Sequence, residues 1–205
     1  MIHSVLIFNT QGKARLVKFY EYNYPPDVTK EIIRCAYDLI HYRDYSECQF
    51  IETDIFDVAN VRCHRPKLDE KLLLMYRQYA TLYIVFIVDN GENELAILDL
   101  IQVFVESMDR CFSAVCELDL IFNMHKIHYI LNEIIVGGMV IETNLDDILL
   151  RYNEQCKLEN ESDQQIQGIK AMAKLRHQIN LEGHIKTLQK NLKQGLKTTT
   201  TKTQS

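Results

Sequence analysis

VCELDLIFNMHKIHYILNEIIVGGMVIETN, residues 115–144 of this 205-residue chain, combines a long helical pattern with an abrupt end. Apolar side chains recur in it at the three- and four-residue spacings that place them on one face of an α-helix: Leu120, Met124, Ile127, Leu131 and Ile134. The pattern predicts one long helix that buries this face. Gly137 and Gly138 follow where the helix must end, and residues 142–144 offer side chains that cap a further helix.

The first quarter of the chain predicts strands and one helix. Residues 2–8 and 13–20 are short apolar runs on either side of a turn sequence, Asn-Thr-Gln-Gly, which is typical of a β-hairpin. Asp27 follows two prolines and is the expected N-cap of a helix that continues to about Arg43. One apolar stripe marks this helix: Ile32, Ile33, Ala36, Tyr37 and Ile40. Residues 49–52 predict a brief third strand.

The middle of the chain predicts a loop, two strands and the remaining helices. Residues 54–70 have mixed charge and no sustained period, so we expect a loop. Residues 72–79 and 82–89 read as strands, and the second is apolar at almost every position, as in a central strand. Residues 94–112 predict a long helix, and 145–159 a short last one. The apolar face of the long helix is marked by five side chains: Leu98, Ile101, Val105, Met108 and Phe112.

The order of these elements predicts the fold class. Strands and helices are segregated along the chain, which favours an α+β fold with an antiparallel sheet covered by helices. The composition, 47% hydrophobic and 25% charged, suits one globular domain with an appendage. No apolar run approaches the ~20 residues of a membrane span, and no secretory signal is apparent, so we expect a cytosolic chain.

Residue types that carry chemistry are sparse. The chain has no Gly-rich phosphate loop, no HExxH and no GxSxG. His125 and His128 are three residues apart, but they flank a buried stripe, where we expect surface or half-buried side chains. Glu117 and Asp119 cannot share a helical face as a catalytic pair. The sequence therefore predicts neither an enzyme nor a cofactor.

The cysteines predict no disulfide framework and no metal site. There are six of them without a CxxC pair, which suits reduced thiols. Cys63 and His64 are adjacent, but no second ligand pair at zinc spacing accompanies them.

Residues 161–205 differ from the rest of the chain in charge. They contain eight Lys or Arg against three acidic residues, a net charge of +5, whereas the whole chain carries −5. An apolar face interleaved with lysines runs through this tail: Ile185, Leu188, Leu192 and Leu196. Two interpretations stay open: a basic amphipathic segment for an anionic membrane or partner helix, and a solvated, disordered tail. Nucleic-acid binding is not expected, because the body of the chain is acidic.

Three stretches carry a resemblance to a known family: CELDLIFN at 116–123, GGMVIETN at 137–144 and ENELAILDLIQVFVE at 92–106. In these residues the chain resembles the small (sigma) subunit of the heterotetrameric clathrin-adaptor-type complexes, over roughly residues 1–53 and 72–155. VFVESMDRCF, KIHYIL and GGMVIET are most similar to the type-three complex, which sorts cargo from endosomes and the Golgi towards lysosome-related compartments. The resemblance implies a longin-like fold, with a five-stranded antiparallel sheet between helices.

The resemblance also implies partners and a location. The chain would bind a large (delta-like) subunit, and through it beta-like and medium subunits, on the cytosolic face of Golgi and endosomal vesicle membranes. A small GTPase of the Arf type would recruit the assembly. Residues 1–160 would form the domain, 54–70 an insertion longer than the family's usual connection, and 161–205 the appendage. Two other classes stay open: a longin-type SNARE or tether, and a small-GTPase regulator.

For the site, the resemblance implies a shallow hydrophobic pocket for the paired leucines of an acidic dileucine signal in the cytosolic tail of membrane cargo. Its implied lining comes from three segments: Ala80, Leu82, Val105, Val115 and Leu120. Arg15 matches the arginine that attracts the signal's acidic residue through charge-assisted hydrogen bonds. Residue types alone equally allow the five apolar side chains to fill the core and Arg15 to be an ordinary strand cation. Ala114 stands where some family members have Asn, whose amide would be lost beside the signal's backbone.

Overall fold

A five-stranded antiparallel sheet forms the centre of the computed structural model, which describes residues 1–21, 23–43, 48–53, 55, 59, 72–112 and 115–159. Its strands are β1 (Ile2–Asn9), β2 (Ala14–Phe19), β3 (Phe50–Thr53), β4 (Leu72–Tyr79) and β5 (Leu82–Asp89). They lie in the order β2-β1-β5-β4-β3, with every neighbouring pair antiparallel. The predicted hairpin of β1 and β2 is confirmed, and β5, the most apolar strand, is central as its sequence predicts.

Several helices accompany the sheet. Those of at least six residues in the described ranges are α1 (Pro26–His41), α2 (Glu94–Phe112), α3 (Glu117–Phe122), α4 (Met124–Ile134) and α5 (145–159). A second, two-stranded sheet pairs β6 (Ile135–Val136) with β7 (Met139–Val140). The predicted α+β class is therefore confirmed. Within the described residues, no helix is long and apolar enough to cross a membrane.

Two compact units divide the chain, Met1–Glu154 and Gln155–Ser205. In the second unit only residues 155–159 are described, and they are helical. The predictions for the tail at 161–205 and for Cys63 and His64 fall outside the described residues.

One face of the sheet is filled by α1. Its buried cluster takes side chains from three strands and from the helix: Leu6, Phe8, Leu72, Leu74, Val85, Ile87, Val28, Ile32, Ile33, Ala36 and Ile40. Tyr37, predicted as part of the same stripe, is half-buried and meets Phe8 edge-on, with ring centroids 5.7 Å apart. Ile55 and Ala59, the only described residues of the predicted 54–70 loop, are buried in this cluster.

The opposite face is covered by α2, and α4 packs against α2. Helix α2 contacts β4 and β5 and packs against α4, while α3 contacts β2. At the end of β4, Arg77 Nη1 and Tyr79 Oη donate hydrogen bonds to Gln102 Oε1 of α2, at 3.2 and 2.6 Å. These bonds fix the middle of α2 over the end of the strand.

The long helix predicted from residue 120 onward is broken at Asn123. This residue has φ −116° and ψ 29°, and its N–H donates to the Asp119 carbonyl, which ends α3 before α4 begins. Leu120, Ile127 and the rest of the stripe are buried, but Met124, next to the break, is 46% exposed. The prediction that Met124 is buried is therefore wrong, because a non-helical residue interrupts the turn that its spacing presumes.

The end of α4 also differs from expectation. Gly137 and Gly138 do leave the helix, but they form the turn of the β6–β7 hairpin, with φ of +58° and +80°. Gly138 accepts a 2.9 Å hydrogen bond from the Ile2 N–H through its carbonyl. The predicted cap of the next helix is confirmed, because Asn144 Oδ1 accepts a bond from the Asp146 N–H at 3.1 Å. The Asp27 cap is wrong, since Pro25 occupies the N-cap of α1 and Asp27 lies inside its first turn.

Candidate functional site

A pocket of about 240 Å³ opens at the end of the sheet where β4 turns into β5. The sheet supplies one wall, α2 a second, and the segment entering α3 a third. Its lining is mostly apolar: Ile7, Tyr79, Ala80, Leu82, Ile84, Val105, Met108, Asp109, Val115 and Leu120. A dry cavity of about 150 Å³ already binds a benzene-sized molecule, so this volume can take apolar side chains of a ligand.

All five apolar residues expected at a pocket line this one. Leu82, Val105 and Leu120 are each at most 7% exposed and form its inner walls. Val115 is half-buried, and Ala80 lies exposed in the β4–β5 turn with φ +50°. These residues can therefore fill the core and line the pocket at once, since a side chain that packs in the core on one side can border open volume on the other.

Polar contacts hold the third wall in place. Asp109, which also lines the pocket, accepts a 2.9 Å hydrogen bond from the Val115 N–H through Oδ1. Asp119 Oδ2 accepts from the Cys116 N–H at 3.0 Å, as in a capping box. The segment that carries Val115 is therefore anchored to α2 on one side and begins α3 on the other.

Arg15 is outside the lining and is bound to Glu117. Its Nε donates to Glu117 Oε1 at 2.7 Å, and its Nη2 donates to the same oxygen. Asn9 Nδ2 adds a third bond to that oxygen, at 3.0 Å. The Arg15 side chain is 14% exposed and that of Glu117 28%, so Arg15 is not the unpartnered strand cation that its residue type alone suggests.

A β-bulge directs Arg15 to this position. Ile7 pairs with Leu16 and Phe8 with Ala14, which leaves Arg15 without a partner in the ladder. Bulges of this kind redirect a side chain relative to simple alternation. Nothing in the local sequence pattern reveals the bulge or joins Arg15 to Glu117, 102 residues later.

Several lining residues were not expected from the sequence. Ile7, Tyr79, Met108 and Asp109 lie on elements that were predicted correctly, but their place at an opening depends on how α2 crosses the sheet. Ala114, the position where some relatives have Asn, falls outside the described residues.

The two histidines of α4 behave as expected for side chains beside a core. His125 is exposed and meets the Tyr129 ring edge-on. His128 is half-buried, and burial, with a smaller contribution from Lys18, lowers its pKa. In the part of the chain that the structure describes, no cluster of three or more His, Cys, Asp or Glu side chains could hold a metal ion.

Comparison with known proteins agrees with this fold. Residues 1–159 match the family model of the clathrin adaptor complex small chain, and the chain belongs to that family. The family consists of trafficking components and not of enzymes, which confirms the prediction on enzymatic activity.

Individual relatives show which type of adaptor complex the chain is similar to. The chain is 48% identical over 159 residues to the AP-3 complex subunit sigma-2 of Homo sapiens, covering 78% of this chain and 77% of that protein. It is 46% identical over 169 residues to the AP-3 complex subunit sigma of Dictyostelium discoideum, covering 82% and 94%. It also resembles, at 42% identity and a TM-score of 0.59, a chain of a homology model of the full-length AP-3 complex in a stretched open conformation, covering 80% and 99%.

Proposed function

We propose that this chain is the small subunit of an AP-3-type adaptor complex and that its pocket binds the two leucines of acidic dileucine sorting signals. It would act on the cytosolic face of Golgi and endosomal vesicles, in transport towards the lysosome or vacuole. Its direct partner would be a large, delta-like subunit, with beta-like and medium subunits bound through it. The proposal that the pocket binds cargo rests on one observation. Five apolar residues line the same opening: Ala80, Leu82, Val105, Val115 and Leu120.

The size and chemistry of the pocket support a weak, reversible ligand. Burying two leucine side chains contributes roughly 3–6 kcal/mol before the cost of ordering the peptide is subtracted. Arg15 lies on the strand behind the third wall, bound to Glu117, two residues from Val115. A signal with its acidic residue several positions before the leucines would extend from the pocket towards this arginine.

Exposed apolar side chains support assembly with a larger subunit. The β6–β7 hairpin and the residue after it carry Val136, Met139, Val140 and Ile141, all exposed. A second group on α3 and at the start of α4 consists of Leu118, Ile121, Phe122 and Met124. Clustered apolar side chains of this kind mark protein interaction surfaces. We expect the large subunit to cover them, so the chain should be poorly soluble until it is coexpressed with that partner.

Residues 161–205 would be an appendage to this assembly. The match to the family model ends at residue 159. Deletion of the tail should leave copurification with the large subunit unchanged. Loss of the complex on truncation would instead make the tail part of the interface.

The pocket is tested first with Val105→Asp in the chain copurified with its large subunit. Val105 is buried in the pocket wall, so an unpaired carboxylate there penalises an apolar ligand. A fluorescent peptide with an acidic residue and two leucines should lose at least about tenfold in affinity, whereas the subunit pair should stay intact. Unchanged affinity would reject the pocket assignment.

A second variant avoids a buried charge. Ala80→Leu adds a large side chain at the exposed turn that borders the opening, so it should occupy the space that a ligand leucine needs. Ala96→Leu is the matched control, because Ala96 is exposed on α2 and does not line the pocket. Ala80→Leu should weaken peptide binding and Ala96→Leu should not. Equal binding by both variants would place the signal elsewhere.

A further inference from the structure

The Arg15 guanidinium already has a carboxylate on one of its edges. Nε and Nη2, which form that edge, both donate to Glu117 Oε1. A carboxylate prefers to meet arginine along an edge that offers two parallel donors. An incoming acidic residue therefore finds this edge occupied and must use the N–H groups that remain, those of Nη1 and the second one of Nη2, or displace Glu117.

Glu117 is held in place independently of Arg15. Asn9 Nδ2 donates to Glu117 Oε1, while Asn9 Oδ1 accepts bonds from the N–H groups of Gln11 and Lys13 in the β1–β2 turn, at 3.0 and 2.9 Å. Asn9 itself is buried. The carboxylate is thus tied to the hairpin, which holds its charge beside Arg15.

The Arg15–Glu117 pair is exposed enough for its charges to act on a bound ligand. Both side chains retain solvent exposure, and Glu117 lies between Val115 and Leu120, which line the pocket. Arginine keeps its charge at all relevant pH values, and Glu117 is the carboxylate paired with it, so Glu117 reduces the positive field that Arg15 contributes at the pocket mouth, beside the lining carboxylate of Asp109.

We propose that Glu117 sets the specificity of the pocket by partly neutralising Arg15, which limits the preference for an acidic residue ahead of the two leucines. This inference rests on the proposed function. A free Arg15 would favour acidic signals strongly, whereas the Arg15–Glu117 pair lets signals with a neutral residue at that position compete.

The test measures acid preference, defined as the Kd of a peptide with Gln at the acidic position divided by the Kd of the same peptide with Glu. The protein is the full chain copurified with its large subunit. Glu117→Gln keeps an oxygen that can accept from Arg15 and Asn9 but removes the charge. It should raise acid preference by about twofold to fivefold, through tighter binding of the Glu peptide alone.

Three controls isolate the charge effect. Arg15→Gln should abolish acid preference, and adding Glu117→Gln to it should restore none. Glu133→Gln removes the same charge from an ion pair with Arg151 outside the pocket lining, and it should leave both peptides unaffected. The gain from Glu117→Gln should shrink at high salt, because exposed charges are screened.

Each other outcome overturns the inference in a recognisable way. Equal weakening of both peptides by Glu117→Gln would show that Glu117 only braces the hairpin against α3. Unchanged Kd values for both peptides would show that its charge does not reach the ligand. Failure of the wild-type pair to bind either peptide would overturn the proposed cargo function itself.

Discussion

The two faces of the sheet carry similar apolar residues, but their packing against the helices differs. On the α1 face, aliphatic and aromatic side chains fill the centre, with Ile32 and Phe8 fully buried. On the α2 face, Phe86 and Phe104 fill the middle equally well, yet a pocket of about 240 Å³ stays open at the β4–β5 turn. Helix α2 ends at Phe112, and Val115, where the described chain resumes, borders this opening. Residue type therefore does not tell which apolar side chains fill the core and which line the pocket. The place where α2 ends makes that difference.

This difference predicts that stability and ligand binding respond to different substitutions. Truncation on the filled face leaves a void that neighbouring side chains cannot occupy, so it costs stability. Truncation around the opening removes contacts from a ligand more than from the protein.

The largest effect is expected from Ile32→Ala on the filled face. Ile32 is fully buried in the α1 cluster, so the variant should lower the free energy of unfolding by about 2–5 kcal/mol. Its folded fraction should bind peptide normally. Val115→Ala, at the half-buried pocket mouth, should cost about 1 kcal/mol or less and weaken peptide binding. Urea unfolding followed by far-UV circular dichroism gives the comparison, and similar stability losses would contradict it.

An intermediate effect is expected at the β6–β7 turn, away from the pocket lining. A Cβ on Gly138 would lie 2.4 Å from the Ile2 carbonyl oxygen, and φ is +80°. Gly138→Ala should therefore cost roughly 2–3 kcal/mol of stability. Gly137→Ala is the control, because its φ is also positive but its Cβ would meet nothing within 4 Å, so only about 1 kcal/mol of backbone strain is expected. Equal melting temperatures of the two variants would show that the backbone at Ile2 shifts to accommodate the added methyl group without a loss of stability.

The smallest effect concerns pH. Because burial lowers the pKa of His128 in the folded chain, the unfolded chain binds the proton more readily. Stability from this group is present above the unfolded pKa of about 6.5 and is lost as the pH falls below it. His128→Gln should flatten the decline in unfolding midpoint between about pH 7.5 and 5.5, whereas His125→Gln, at an exposed position, should not. An unchanged slope in His128→Gln would show that other groups set this pH dependence.

Periodicity and composition were sufficient for most of the secondary structure. The strands 72–79 and 82–89 have the predicted bounds, because continuous apolar runs between turn residues leave little ambiguity. Helix α2 likewise begins and ends where its apolar spacing does. The break at Asn123 was missed because the apolar spacing continues across it. The β6–β7 hairpin was missed because two-residue strands have no period.

The site was predictable only through the family resemblance. Composition and spacing left Val105 and Leu120 equally suited to the core, and the resemblance placed them at a pocket. Neither approach predicted the bulge at Arg15 or the bond to Glu117, since both arise from a register shift and from contacts between distant parts of the chain.

Local apolar patterns and turn residues are enough to place most helices and strands and to identify the central strand. They do not reveal that apolar walls enclose an opening or that Arg15 is ion-paired with Glu117. Both depend on the angles at which helices cross the sheet and on the distances between residues far apart in the chain. Packing sets those quantities, and no local pattern of residues encodes them.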